Sequence, residues 1–426
     1  MRFRSAGLAL GYAISIAAAA NIQGCSGNAD NPGSDASVSD AGPKADAGET
    51  PTAYPPLHFA DIGTAVPIST QFYFTEGPVW DPKKNVLYFT DINAPQGATV
   101  GGAIYRLTLP DTFDVLLQPA GNADGLGLDP QGDILGAGFV SRDVWRLSSS
   151  NTMQTLAPCS QQRVSDAATD GAVDSGGDDG AVDGGTDDAT IDDASIDGTA
   201  DGASDASTVD AGDASAPDAA TSAGTCYSGQ EINTPDDITS RSDGVLYFTD
   251  PTFASNSQGF PTLTLPLSGA QGVYRLTTDG VLHLEDSTTS GPNGVNLSPD
   301  EKTLYVSYSL TGEVSKFDVA ADGALSNKTT FATGATIADS MCVDAGGNVY
   351  VGTLSGLSVY DPAGNHLGTI SVGGLVVTNC AFGGTDQKTL FITARTQATL
   401  SGAPPAGGGA LYKIDGMPVP GMPGQN

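Results

Sequence analysis

Positive charge is what this chain has least of. Its 426 residues carry 17 Lys and Arg against 49 Asp and Glu, a formal charge of -32. That balance excludes nucleic acid as a partner, because a polyanion is held by a basic surface. Histidine is nearly as rare: His58, His283 and His366 are all there is. There is no Gly-x-Ser-x-Gly turn to present a serine nucleophile. Helical periodicity is absent beyond the N-terminus, which excludes a bundle or an α/β fold and leaves an all-β chain.

The acidity is uneven. No Lys or Arg lies between Arg163 and Arg241, and residues 166–218 hold 16 Asp. These Asp fall mostly four apart, whereas a calcium loop needs them two apart with a glycine following. Residues 165–224 therefore read as a disordered acidic insertion in a surface connection, not as a calcium site.

At the N-terminus, Arg2 and Arg4 precede an apolar run from Leu8 to Ala20 that is too short and Ala-rich to span a membrane. Residues 1–24 are thus expected to be an export signal. The run ends at Ile22-Gln23-Gly24-Cys25, which resembles a bacterial lipoprotein box. That resemblance implies acylation of Cys25, residues 25–56 as a low-complexity tether, and a lipid-anchored protein of the cell envelope with no other membrane contact. Gln23 is not the usual small residue, so a plainly cleaved signal stays open. Either way the compartment permits disulfides. Cys159 and Cys226 bracket the insertion, and a bridge between them would pin its ends. Cys342 and Cys380 lie in repeated phrases but are offset by one position, so alternation would turn them to opposite sides; two buried free thiols are expected.

What the chain does have is repetition. Six phrases recur: Glu76-Gly77-Pro78-Val79-Trp80-Asp81, Asp124-Gly125-Leu126-Gly127-Leu128-Asp129, Asp236-Asp237-Ile238-Thr239-Ser240-Arg241, Asn293-Gly294-Val295-Asn296-Leu297-Ser298, Asp339-Ser340-Met341-Cys342-Val343-Asp344 and Thr378-Asn379-Cys380-Ala381-Phe382-Gly383. Their starts are 48, 112, 57, 46 and 39 residues apart, and the second interval becomes regular once the insertion is set aside. Each phrase is followed by a β-branched and aromatic run such as Val86-Leu87-Tyr88-Phe89-Thr90-Asp91, and several by a third run such as Gly272-Val273-Tyr274-Arg275-Leu276. Such a period predicts a six-bladed β-propeller over residues 57–416, with residues 417–426 as a tail. The segment before Glu76 is expected to add an outer strand to the last blade.

First strands of blades line the central channel, so the first slot of each phrase forms a ring: Glu76, Asp124, Asp236, Asn293, Asp339 and Thr378. Carboxylates facing one another need a cation or protons to coexist. Oxygen donors without His or Cys favour a hard ion, calcium ahead of magnesium, manganese or zinc. Asp91 and Asp250 end second strands and read as turn or inter-blade hydrogen-bonding groups. Trp80 and Trp145 read as blade packing.

These phrases, with Asn233-Thr234-Pro235-Asp236-Asp237, Tyr247-Phe248-Thr249-Asp250-Pro251 and Pro292-Asn293-Gly294, resemble the gluconolactonase / senescence marker protein / luciferin-regenerating enzyme family. The resemblance implies a monomeric, divalent-metal-dependent lactonase acting on a small-molecule lactone. Glu76, Asn293 and Asp339 would be the metal ligands, Asp339 also the catalytic base, and Asp236 and Asp124 substrate-side groups. Asp236 and Asp124 stand where the family usually has Asn, and Ser340 where it has Gly, which puts sugar-lactone specificity in question. Two other readings remain: a non-catalytic propeller that binds a ligand or a partner protein, and a strictosidine-synthase-like propeller with a different ligand set.

Overall fold

The computed structural model describes residues 54–92, 101–159, 224–253, 269–396 and 407–424. The signal, Cys25, most of the tether and nearly all of the acidic insertion lie outside the described residues.

Six four-stranded antiparallel sheets form the blades of a propeller. The first runs Thr75–Asp81, Val86–Asp91, Ala103–Thr108, Thr112–Leu117, and the second Ala123–Leu128, Ile134–Gly138, Asp143–Leu147, Met153–Thr155. Ile238–Ser240, Leu246–Asp250, Gly272–Leu276 and Leu282–Asp286 make the third. The fourth is Pro292–Leu297, Thr303–Tyr308, Glu313–Val319, Leu325–Thr333, and the fifth Met341–Val343, Val349–Thr353, Gly356–Tyr360, His366–Ile370. In the sixth, Val376–Gly383, Thr389–Arg395 and Gly409–Ile414 take their fourth strand from the other end of the chain, Val66–Phe72. That pairing closes the ring, as the sequence predicted, and covers the edge that the last blade would otherwise expose.

Second strands are buried along almost their whole length, Val86–Asp91 and Val349–Thr353 completely. They read as unbroken apolar runs because each is sandwiched between two neighbouring blades. Alternate residues serve opposite neighbours. Val86 and Tyr88 pack against Leu126, Leu128 and Trp145 of the second blade, whereas Leu87 and Phe89 join Trp80, Phe391 and Leu411 at the sixth. The core is therefore divided into six inter-blade layers rather than one centre. Trp80 stacks on Phe391 with ring centroids 5.6 Å apart, which confirms its packing role and fastens first blade to last.

This geometry corrects the expectation of free thiols: Cys342 and Cys380 form a disulfide. The two occupy adjacent blades, the fifth and the sixth. Sheets stacked face to face meet through opposite faces, so the opposite parity that would part them within one sheet brings them together between two. Cys159 and Cys226 are also bridged. Beside that bridge the Cys159 N–H donates to the Gly224 carbonyl at 3.1 Å, so the chain leaves and re-enters the described fold at one point.

Residues beyond Gly416 pack back on the propeller. Met417 and Val419 are buried in the layer between the fifth and sixth blades. The Met417 and Gly421 N–H groups donate to Lys388 and Gln387 carbonyls, and Ala345 N–H to that of Pro420.

Candidate active-site channel

The innermost strands, or the residues leading into them, carry all six first-slot side chains. Neighbouring innermost strands touch one another all the way round. Glu76, Asp236, Asn293, Asp339 and Thr378 are buried, and Asp124 is partly buried.

Their position is set by contacts between blades. Second-strand hydroxyls reach across to the backbone carbonyl of the next blade's ring residue. Thr90 Oγ1 donates to Asp124 at 2.9 Å, Ser307 Oγ to Asp339 at 2.7 Å, and Thr249 Oγ1 to Asn293. Thr378 does the same work at the closure, donating to the Thr75 carbonyl at 2.8 Å, which accounts for an uncharged residue in the sixth slot. Small residues permit the close approach. Gly77 has φ +47, and a Cβ there would lie 2.4 Å from the Asp124 carbonyl oxygen.

The four carboxylates lie within electrostatic reach of one another. Burial, then Asp339, Asp124 and Asp236, hold Glu76 well above the usual carboxylate range. Asp124 is raised by burial and then by Asp339 and Asp237, and Asp236 by burial and then by Asp124, Asp339 and Asp237. Burial pushes Asp339 up to about 6, opposed by Arg395 and by a hydrogen bond from Asn293. Each of these upward shifts marks negative charge in excess of what the pocket stabilises.

Two residues that the sequence reading passed over belong to this site. Arg395, at the end of the second strand of the sixth blade, lowers all four of these carboxylates, and its guanidinium lies 4.4 Å from the Phe74 ring centroid. Its only signal was a strand-end position like those of Asp91 and Asp250. Asp237, fully buried, accepts from Ile238 N–H at 3.0 Å and from Val295 N–H of the next blade at 3.2 Å, and burial pushes it up to about 7. Beside Asp236 it had read as one more strand residue.

Asp91 and Asp250 are structural. Asp91 accepts from Tyr73 and Phe74 N–H groups, and Asp250 from those of Asn233 and Thr234, so each fixes the loop that leads into an innermost strand.

A metal ion is compatible with the donor chemistry. Glu76, Asn293 and Asp339 offer oxygen atoms in a buried, negatively charged ring, the environment a hard divalent cation selects. Among the described residues no three of His, Cys, Asp and Glu come together as a metal cluster. The expected triad is of a different kind, with two carboxylates and an amide.

Residues 204–396 match the SMP-30/Gluconolactonase/LRE-like region. A gluconolactonase of Zymomonas mobilis is 34% identical over 180 residues, 39% of this chain and 50% of that protein. A regucalcin of Danio rerio is 32% identical over 142 residues, 31% of this chain and 48% of its own. The chain thus spans about half the length of the curated relatives it matches. A solved gluconolactonase structure from Xanthomonas campestris superposes with a TM-score of 0.57 at 25% identity, covering 84% of this chain and 89% of that one. By this match over residues 204–396 and by its six blades, the chain is similar to the SMP-30/Gluconolactonase/LRE-like family.

Proposed function

We propose that the channel opens lactones by hydrolysis with the help of one divalent cation, in an exported and lipid-anchored protein. The observation that carries this reading is the ring itself: Glu76, Asn293 and Asp339 buried together with Asp236, beside Asp124, with Asp339, Asp124 and Asp236 each raising Glu76. The names of the gluconolactonase relatives support the substrate class. Two disulfides support an oxidising compartment.

Glu76, Asn293 and Asp339 would hold the cation, which when bound supplies polarisation of a carbonyl and acidification of a water. Asp339 takes the proton of the attacking water; its raised value, about 6, suits a base working near neutrality. Asp124 and Asp236 accept hydrogen bonds from substrate hydroxyls and orient the ring against Asp339. Arg395 limits the repulsion among these carboxylates. A lactone needs no covalent nucleophile, because ring opening leaves the alcohol tethered to the acid and water completes the reaction in one addition and one elimination.

The test is acid release from a panel of aldonolactones and simple γ-lactones, with and without chelator. Turnover lost to chelator, restored by calcium or manganese and abolished in Asp339→Asn is the expected result. Ion binding with no turnover of any lactone would replace this reading with a non-catalytic binding propeller.

A further inference from the structure

Second strands end on the face of the propeller nearest the ring, and the turn that follows carries an apolar side chain in five of the six blades. Glu76 pairs with Thr90, so Ile92 lies further out on that face. Phe139 follows Gly138, which pairs with Ala123 beside Asp124. The Asp236 N–H donates to the Thr249 carbonyl at 3.0 Å, and Phe253 stands beyond that bond. Pro292, next to Asn293, pairs with Tyr308, and Leu310 stands beyond it. The Asp339 N–H donates to the Gly352 carbonyl at 2.9 Å, which puts Leu354 outside Asp339. In the sixth blade the place belongs to Arg395, whose guanidinium lies 4.4 Å from the Phe74 ring centroid.

The apolar side chains form a collar around the mouth of the channel. Phe74, Ile92 and Phe139 are buried together, and Val140 and Phe253 pack on them while staying partly exposed. Leu310 is 69% exposed and Leu354 partly so. Hydrogen bonds preorganise the buried layer. Ile92 N–H donates to the Phe74 carbonyl at 2.9 Å, the Asn122 amide to that of Ile92 at 2.6 Å, and Phe139 N–H to that of Asn122 at 3.3 Å. Thr234 Oγ1 donates to the Pro251 carbonyl at 2.6 Å and fixes the turn that carries Phe253. The carboxylates beside these turns, Asp91 and Asp250, accept from backbone N–H groups of their own loops. The collar side chains themselves offer no donor or acceptor. A sugar lactone carries hydroxyl groups beyond its ring, and each would lose its water there without a replacement.

We propose that the substrate is a lactone bearing an alkyl chain, which the collar takes while the ester reaches the carboxylates, and that Val140, Phe253 and Leu310 set this specificity. The hydroxyls accepted by Asp124 and Asp236 belong to the lactone ring, at the depth of those carboxylates. Water adds its oxygen to the carbonyl carbon and a proton to the ring oxygen as the acyl C–O bond breaks. The product is a hydroxy acid with its apolar chain at the outer end. Leaving water for the collar favours binding in proportion to the length of that chain. The inference rests on the lactonase reading given above and narrows its substrate.

The experiment measures kcat/KM of the purified protein, with calcium present, for γ-butyrolactone, γ-octalactone and γ-dodecalactone, in wild type, Phe253→Ser and Leu310→Ser. Wild type is expected to gain about two- to fourfold for each added methylene until the collar is filled. Each variant is expected to lower the ratio of dodecalactone to butyrolactone about fivefold or more. The ratio is taken within one protein, so a general loss of fold or activity cancels, and the largely exposed Leu310 tests the collar without entering the core. A wild-type ratio close to unity overturns the proposal and leaves lactone hydrolysis standing. A high ratio that both variants keep overturns it too, because the selectivity then arises elsewhere. If the ratio is close to unity and the protein sediments with phosphatidylcholine vesicles, less so as Leu310→Ser, the collar meets lipid and the substrate assignment falls. No turnover of any lactone removes the lactonase reading and this one together.

Discussion

The Ser307 hydroxyl donates to the main-chain carbonyl of Asp339 at 2.7 Å, so the second strand of the fourth blade fixes the ring residue of the fifth. The same oxygen accepts from the Gly294 N–H at 2.8 Å, beside Asn293. One buried hydroxyl thus ties together the backbones that carry two proposed ligands.

Ser307→Ala removes both bonds in a dry place. At about 1–3 kcal/mol for each of the two groups left unpaired, a loss of about 2–6 kcal/mol is expected in urea unfolding. Lactone turnover should fall about tenfold or more through misplacement of Asp339. Ser307→Thr keeps the hydroxyl, as Thr90 and Thr249 do in the matching slots, and should restore most of both.

Ion affinity should rise with pH. A cation binds the ionised carboxylates, and Asp339 holds its proton up to about 6, with Glu76, Asp124 and Asp236 also raised. Calcium titrations in buffers of different ionisation heat should show protons released on binding below neutrality. The ion-free fold should behave in the opposite sense. Its pKa for Asp339 lies above the unfolded value of 3.8, so that contribution to stability is complete below 3.8 and lost as pH rises through about 6. Unfolding midpoints across that window check the sign.

The disulfide between Cys342 and Cys380 closes a loop with a sequence separation of 38. By the chain-entropy relation its loss costs about 4 kcal/mol. Replacing both cysteines by alanine should lower the urea midpoint accordingly, and reductant should then have a smaller effect than on the parent protein.

Met417 is 1% exposed and packs with Val419 between the fifth and sixth blades. Met417→Ala should cost about 2–5 kcal/mol, the range for emptying a buried methionine site. A loose tail would give no measurable change in unfolding.

The sequence by itself determined the blade count and the ring. A period-two strand repeated at a propeller interval leaves no other way to bury so many apolar runs, and a polar residue held in the first slot must line the axis. Val66–Phe72 was legible too, because a strand with no blade of its own has to complete one. The tertiary structure alone decided what crosses between blades. Cys342 and Cys380 looked mismatched because strand alternation describes one sheet, whereas their bond spans two. Arg395 and Asp237 gave no signal of their place, since each acts on residues of other blades that are remote in the chain. The hydroxyls of Thr90, Thr249 and Ser307 were visible as strand residues, but the carbonyls they hold appear only when one blade is stacked on the next.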